Sequence, residues 1–500
     1  MGRRASAVEA TGQGDLGSER AAGPGPCARK PGRPRNPPVP APDAAEAFLK
    51  SVQHFLPEIP AWLRQVADPR VRPEACTYTI EQILMLALVM LCCQCPSRRR
   101  LDRKVAVEQF QANYRTLLGD EAAAVTCADN MDRVLQQVDP GELEKLAAAC
   151  TKALNRRKVL RKLRCYGLLV LAIDGTEICT ATRPCGQGWL TRTLSNGSTQ
   201  YYRSVVAAKI VTPIGLILPV AFEFVENTDP TACKQNCETK AFRRLAPRIR
   251  RMFGRTRLVL VGDGLYAQEP VMEICERHDW SYMATLCDGQ LPSLQEQIAR
   301  ARQNRPVLDG NGRPRTRATC GTVQAQDSDL GIERTVHWIT PLRYHRRIVH
   351  VLELYETRPD GTYHNVWITD LKPNRDNAME LAQTGRLRWK IENEGFNTLK
   401  NGGYEMGHVY GARGNAWKNY FLLLQISQLL NDLYRLGDLP AKLTGCLRST
   451  FATLYGSMQN FAECLMEALR TSRLRPDSGP DPAAIQIRLP DVPPSFLLSS

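Results

Sequence analysis

Apolar residues return at helical spacing between residues 44 and 164: Ile83, Leu86 and Met90, then Leu143, Leu146, Cys150 and Leu154, with breaks at Pro73, Pro96 and Pro140. This pattern predicts a small all-helical domain. Its longest apolar run, Ile83 to Cys93, is too short to cross a bilayer and reads as a buried helix. At Leu168 the period changes. Leu168 to Ile173 and Leu258 to Gly262 are unbroken aliphatic runs, as in strands buried on both faces, and each is followed directly by an aspartate, Asp174 and Asp263. Between them, Tyr202 to Val211 and Leu216 to Val225, joined by Thr212-Pro-Ile-Gly215, predict a hairpin. A helix from Lys234 to Phe253, kinked at Pro247, then leads to the second run, and a helix near Gln268 to His278 and a strand from Trp280 to Leu286 follow.

Residues 291–365 alternate in a Thr- and Val-rich manner between Gly310-Asn-Gly312 and Pro359-Asp-Gly361, which predicts a β-rich insertion splitting the preceding unit (165–290) from its continuation (366–436). In that continuation Asn377 and Glu380 have capping-box spacing and open a helix that carries Glu392 and ends at Gly402-Gly403. A second helix, Ala416 to Leu436, places Trp417, Phe421, Leu424 and Leu433 on its buried side. Residues 437–500 hold a C-terminal helix and a proline-punctuated tail that reads as disordered.

Composition adds a partner. The 500-residue chain has a formal net charge of +15, which favours a polyanion, with nucleic acid first. Residues 1–43 are dense in Gly, Pro and Arg and read as a disordered basic tail, in which Arg29-Lys-Pro-Gly-Arg-Pro-Arg35 resembles an AT-hook core for a narrow minor groove. Arg156-Arg-Lys158, Arg161, Lys162 and Arg164 form a second basic flank, and Arg244, Arg248, Arg251 and Arg255 fall on one helical stripe with no acidic partner evident in the sequence. The N-terminus lacks the apolar segment of a signal peptide, and 17 cysteines scattered over predicted helices and strands read as reduced thiols. A cytoplasmic location is expected, with nucleoid association in a bacterial host and no membrane contact. Cys179 with Cys185 and Cys233 with Cys237 could make a zinc site only if brought together, and neither spacing is a tight knuckle.

Asp174 and Asp263 at strand ends and Glu392 on a helix can converge on hard cations. Phosphodiester cleavage needs an activated nucleophile, a stabilised leaving oxygen and a neutralised phosphate, and a pair of Mg2+ ions, for which Mn2+ may substitute, meets all three needs with carboxylate ligands. Arg388 is four residues before Glu392, so on a helix it shares that face and can reach a phosphate. Glu394 is a rival for the third acid.

The order strand, hairpin, helix, strand, helix, strand, with an acid after the first and fourth strands, resembles the ribonuclease-H-like fold: a mixed sheet with flanking helices, interrupted here by the β-rich insertion and preceded by the helical domain. Ala172-Ile-Asp-Gly-Thr176, Val261-Gly-Asp-Gly264, Trp367-Ile-Thr-Asp370 and Arg388-Trp-Lys-Ile-Glu-Asn-Glu-Gly-Phe-Asn-Thr-Leu-Lys400 resemble DDE transposases of bacterial insertion sequences, of the insertion-sequence-four class. Lys234-Gln-Asn-Cys-Glu238 and Pro96-Ser-Arg-Arg-Arg-Leu-Asp102 also fit, over roughly residues 55–435. The resemblance implies cut-and-paste DNA transposition, with hydrolysis at the element end followed by attack of the freed 3′ hydroxyl on target DNA. It implies Asp174, Asp263 and Glu392 as the metal-binding catalytic triad, and Arg388 and Lys400 as DNA contacts beside Arg244, Arg248 and Arg251. Double-stranded DNA, as terminal inverted repeats and as target, is the implied partner, held by a homodimer. In the family signature a Tyr precedes this Arg and a Lys follows the Glu after six residues; here Gly385 stands at the Tyr position and Lys400 comes one residue late. A non-catalytic DNA-binding descendant and a nuclease without strand transfer are the alternatives.

Overall fold

The computed structural model describes residues 43–183, 188–226, 238–303, 318–408, 410–475 and 485–489. The AT-hook-like segment, Cys185, Cys233, Cys237, residues 234–237 and the C-terminal proline tail lie outside these residues. The helical region comprises α1 (Ala44–Phe55), α2 (Ile59–Arg64), α3 (Ile80–Cys92), α4 (Arg98–Val105), α5 (Glu108–Leu118), α6 (Ala128–Leu135) and α7 (Pro140–Arg156). Every residue of α3 is buried, as its apolar run predicts, and Thr79 and Gln82 close a capping box at its start.

The sheet region follows with β1 (Leu169–Ala181), β2 (Leu190–Thr193), β3 (Thr199–Val211), β4 (Ile217–Val225), α8 (Glu238–Phe253), β5 (Leu258–Gly262), α9 (Glu269–His278), β6 (Ser281–Thr285) and α10 (Pro292–Arg302). Next come β7 (Thr319–Asp327), β8 (Ile332–Tyr344), β9 (Arg347–Arg358) and β10 (Gly361–Thr369), then α11 (Ala378–Arg386), a π-helical turn (Ile391–Asn397), α12 (Thr398–Asn401) and α13 (Ala416–Leu436). Three further helices follow, α14 (Leu439–Thr444), α15 (Phe451–Tyr455) and α16 (Met458–Thr471).

Among the described residues one 10-stranded sheet runs in the order β2-β3-β1-β5-β6-β10-β9-β8-β7, with β4 also on β3. β1, β5 and β6 are parallel, and the β3–β4 hairpin adds to β1 antiparallel. This arrangement is consistent with a ribonuclease-H-like transposase fold. The aliphatic runs account for it: Leu169 to Ile173 and Leu258 to Val261 are all buried, because β1 and β5 lie inside the sheet with both faces covered. The β-rich stretch is present, and it begins with α10 and then continues this same sheet, since β10 pairs with β6 on one side and β9 on the other.

Two local expectations are corrected. β1 does not stop at Asp174 but runs on to Ala181, paired with β3. Asn377 precedes α11 without a capping box: its carbonyl oxygen accepts from the Asn374 amide at 2.7 Å and its amide donates to the Tyr166 hydroxyl and the Lys372 carbonyl, while Glu380 accepts from the Tyr166 amide.

α13 is the axle of the molecule. From Ala416 to Tyr434 every residue except Lys418 is buried, and the helix packs on α3 and α7 as well as on β4. Its polar residues bond to neighbouring backbone: Asn419 donates to the Leu135 and Val138 carbonyls at the end of α6 at 2.7 and 2.9 Å, and Asn431 to the Cys92 carbonyl of α3 at 3.1 Å. Phe222 and Phe224 of β4 meet Phe421 edge-on.

Candidate active site

The register of the parallel strands brings two acids together. Ala172 of β1 is level with Val261 of β5, so two residues further along each strand Asp174 and Asp263 stand side by side on one rim. Asp174 is still held in β1 by pairing with Ala207. Asp263 leaves β5 and caps the short turn Gly264–Tyr266, its carboxylate accepting from the Leu265 amide at 2.9 Å.

The third acid arrives on irregular helix. α11 stops at Arg386, and Glu392 lies in the π-helical turn Ile391–Asn397, where each turn holds one residue more than an α-helix. Gln428 of α13 donates to the Glu394 carbonyl at 2.6 Å, an insertion of a side chain into the helical ladder of the kind that accompanies such turns. In helical phase alone, the extra residue of the turn offsets the one-residue excess that separates Lys400 of α12 from Glu392. Lys400 is exposed there.

Arg388 links the two sides of the rim. Its Nη1 is 3.6 Å from Asp174 Oδ2 and its Nη2 is 3.8 Å from Glu392 Oε2, while the guanidinium lies 4.3 Å over the Trp389 ring. The arginine is buried and Trp389 exposed, and together with Asp263, Leu265, Tyr363, His364 and Asn365 they line an open cavity of about 370 Å3. Glu394, the rival acid, points elsewhere, into a salt bridge of 2.5 Å with Lys390.

The site also holds an acid that the sequence reading did not single out. Glu238, first residue of α8, lies against β1: a Cβ at Gly175 would come within 2.3 Å of its Oε1. Burial, and then the charges of Asp174 and Asp263, push its carboxyl up to about 7. Burial raises Asp174 to about 6, with Asp263 and Glu392 adding to the rise and Arg388 opposing it.

Mutually repelling carboxylates of this kind suit a hard divalent cation, whose preferred ligands are oxygens. Among the described residues no three His, Cys, Asp or Glu side chains are placed to hold an ion together; Arg388 supplies the counter-charge between Asp174 and Glu392 instead.

The basic stripe of α8 has acidic partners after all. Arg244 pairs with Glu223, and Arg248 lies 3.2 Å from Glu223, 3.3 Å from Glu144 and on the Phe222 carbonyl. Arg251 and Arg255 are exposed. On the other flank Arg157 pairs with Glu58 at 2.6 Å. Cys179 is buried in β1.

The mixed sheet thus sets two aspartates side by side on adjacent parallel strands, with a glutamate of the π-helical turn joined to one of them through Arg388. The transposase DDE domain family model matches residues 166–430, just over half of the chain, and the chain belongs to that family. Membership implies DNA binding and transposase or nuclease activity, and enzymes of the family generally use divalent metal ions. No curated protein matches the chain. Among the described residues no helix is long and apolar enough to cross a membrane.

Proposed function

We propose that the protein is a cut-and-paste transposase of the insertion-sequence-four class with a ribonuclease-H-like catalytic core, acting on the terminal inverted repeats of its own element and on target DNA as a DNA-bound homodimer. The observation that carries the reading is the level placement of Asp174 and Asp263 on neighbouring parallel strands, with Glu392 and Arg388 facing them. Asp174, Asp263 and Glu392 would hold a pair of Mg2+ or Mn2+ ions. When bound, such ions neutralise the scissile phosphate and ease deprotonation of the attacking oxygen.

The chain's own residues do the positioning. Arg388, held by two acids and braced on Trp389, offers a planar fork for two phosphate oxygens. Lys400, on the exposed face beyond the π turn, adds charge for the flanking backbone, and Arg251 is free on α8 to meet DNA, with Arg244 and Arg248 reaching it only by exchanging their glutamate partners. The test is purified protein with Mg2+ and end-labelled terminal DNA, with Asp263→Asn as comparison. Cation-dependent nicking at the element end followed by joining to a target is expected of the wild type alone. Binding without any nicking would favour a non-catalytic DNA-binding protein, and nicking without joining a nuclease.

A further inference from the structure

We infer that Tyr363 of β10 is a substrate-contacting residue, its phenol donating a hydrogen bond to a backbone phosphate of the DNA strand in the cavity, and that Arg386 and Glu356 position its ring. The inference rests on the proposed function and adds to it a contact from the β-rich stretch.

The ring is set from behind. Arg334 of β8, Glu356 of β9 and Tyr363 of β10 stand level on three neighbouring strands. Glu356 is 1% exposed and accepts from three arginines: Arg334 Nε at 2.6 Å, Arg386 Nη1 at 2.6 Å to each of its oxygens, and Arg358. The carboxylate thereby fixes Arg386, the last residue of α11, whose guanidinium carbon lies 4.7 Å from the centre of the Tyr363 ring.

The hydroxyl is set from the side. Asn365 donates to the phenol oxygen at 3.2 Å, while its own carbonyl oxygen accepts from the Val366 amide at 3.0 Å. The phenol oxygen is engaged as an acceptor, and its proton meets no acceptor among the described residues. Tyr363 and Asn365 line the same open cavity as Asp263, Arg388 and Trp389, so this donor is offered at the wall of the space that the strand would enter.

The surrounding charge selects the acceptor. Among the described residues one carboxylate, Glu356, faces three guanidinium groups, and the buried Arg334 keeps an Nη2 with no hydrogen-bond partner. This surplus of positive charge behind the ring favours an anion in front of it. A phosphate oxygen meets that need and takes the phenol proton in a hydrogen bond stronger than one between neutral groups.

The experiment measures single-turnover cleavage of end DNA by the full-length protein with Mg2+. Tyr363→Phe keeps the ring and removes only the hydroxyl, and it should slow cleavage by at least about tenfold, the effect of losing one hydrogen bond to a charged oxygen. On DNA carrying a single neutral methylphosphonate, moved linkage by linkage across the cleavage site, wild type and Tyr363→Phe should converge at one position, where the charged acceptor is already gone. Arg386→Lys keeps the charge but not the planar group under the ring. It should be slower than wild type, and in a double variant it should add nothing to the loss from Tyr363→Phe. Cleavage at the wild-type rate by Tyr363→Phe, beside none by Asp263→Asn, would overturn the contact and leave the proposed function standing, as would a loss of equal size at every methylphosphonate position. Additive losses in the double variant would overturn the positioning role of Arg386 and Glu356. Absence of cleavage by the wild type would overturn the proposed function and this inference with it.

Discussion

At the scale of single residues the site is a set of carboxylates held closer than they would choose to be. Folding lifts Asp174 from 3.8 to about 6 and Glu238 from 4.5 to about 7. For acids raised in this way the folded chain binds protons more tightly than the unfolded one, so their stabilisation is present below the unfolded values and is lost as pH rises through the folded values. The cation-free protein should therefore lose stability between about pH 4 and pH 7, and saturating Mn2+ should flatten that decline; Tm against pH with and without the ion checks it. A decline unchanged by Mn2+ would mean that these acids do not bind it. Arg388 gives a second prediction. Arg388→Ala and Arg388→Lys should each lower single-turnover cleavage at least about tenfold and affinity for end DNA by less, because an ammonium lacks the fork that spans two phosphate oxygens. Wild-type cleavage by Arg388→Lys would reduce its role to charge. The aspartates were legible because each follows an apolar run; Glu238 was not, because only folding brings the start of α8 to Gly175.

At the scale of elements, the segment from Asn377 to Gly402 departs most from its sequence pattern. A continuous capped helix was expected, and the chain instead forms α11, a π turn and α12. No local rule could have announced the π turn, since the group that stabilises it, Gln428, lies 34 residues away from Glu394 in sequence. Gln428→Leu should leave the half-buried Glu394 carbonyl without this partner, at a cost of about 1 kcal/mol. If the turn then relaxes toward an α-helix, Glu392 and Lys400 fall out of phase and cleavage drops further than stability accounts for. Urea denaturation beside cleavage rates measures both, and loss of stability with wild-type cleavage would separate Gln428 from the site. The β3–β4 hairpin, β5 and α13 needed no such help, for their buried aliphatic runs and the Thr212-Pro-Ile-Gly215 turn match the observed elements closely.

At the scale of the whole molecule, a net charge of +15 favours DNA without saying where it lies. Pairing in the folded state narrows the choice on α8, where Arg244 and Arg248 are occupied by Glu223 and Glu144 while Arg251 is exposed. Affinity for DNA should fall steeply with salt, and Arg251→Ala alone should flatten the slope by about 0.9, the value for one phosphate contact. Replacing Arg244, Arg248 and Arg251 together should then add little, and a much flatter slope for the triple variant would show that DNA displaces the glutamates.

The buried length of α13 has a consequence for how this chain is made. Residues 416–436 leave the ribosome after α3, α7 and β4, the surfaces they will cover. Until then the nascent protein carries uncovered apolar faces, the condition under which unfinished chains associate wrongly or recruit chaperones. A product truncated before residue 416 would leave the faces of α3, α7 and β4 that this helix covers open to water.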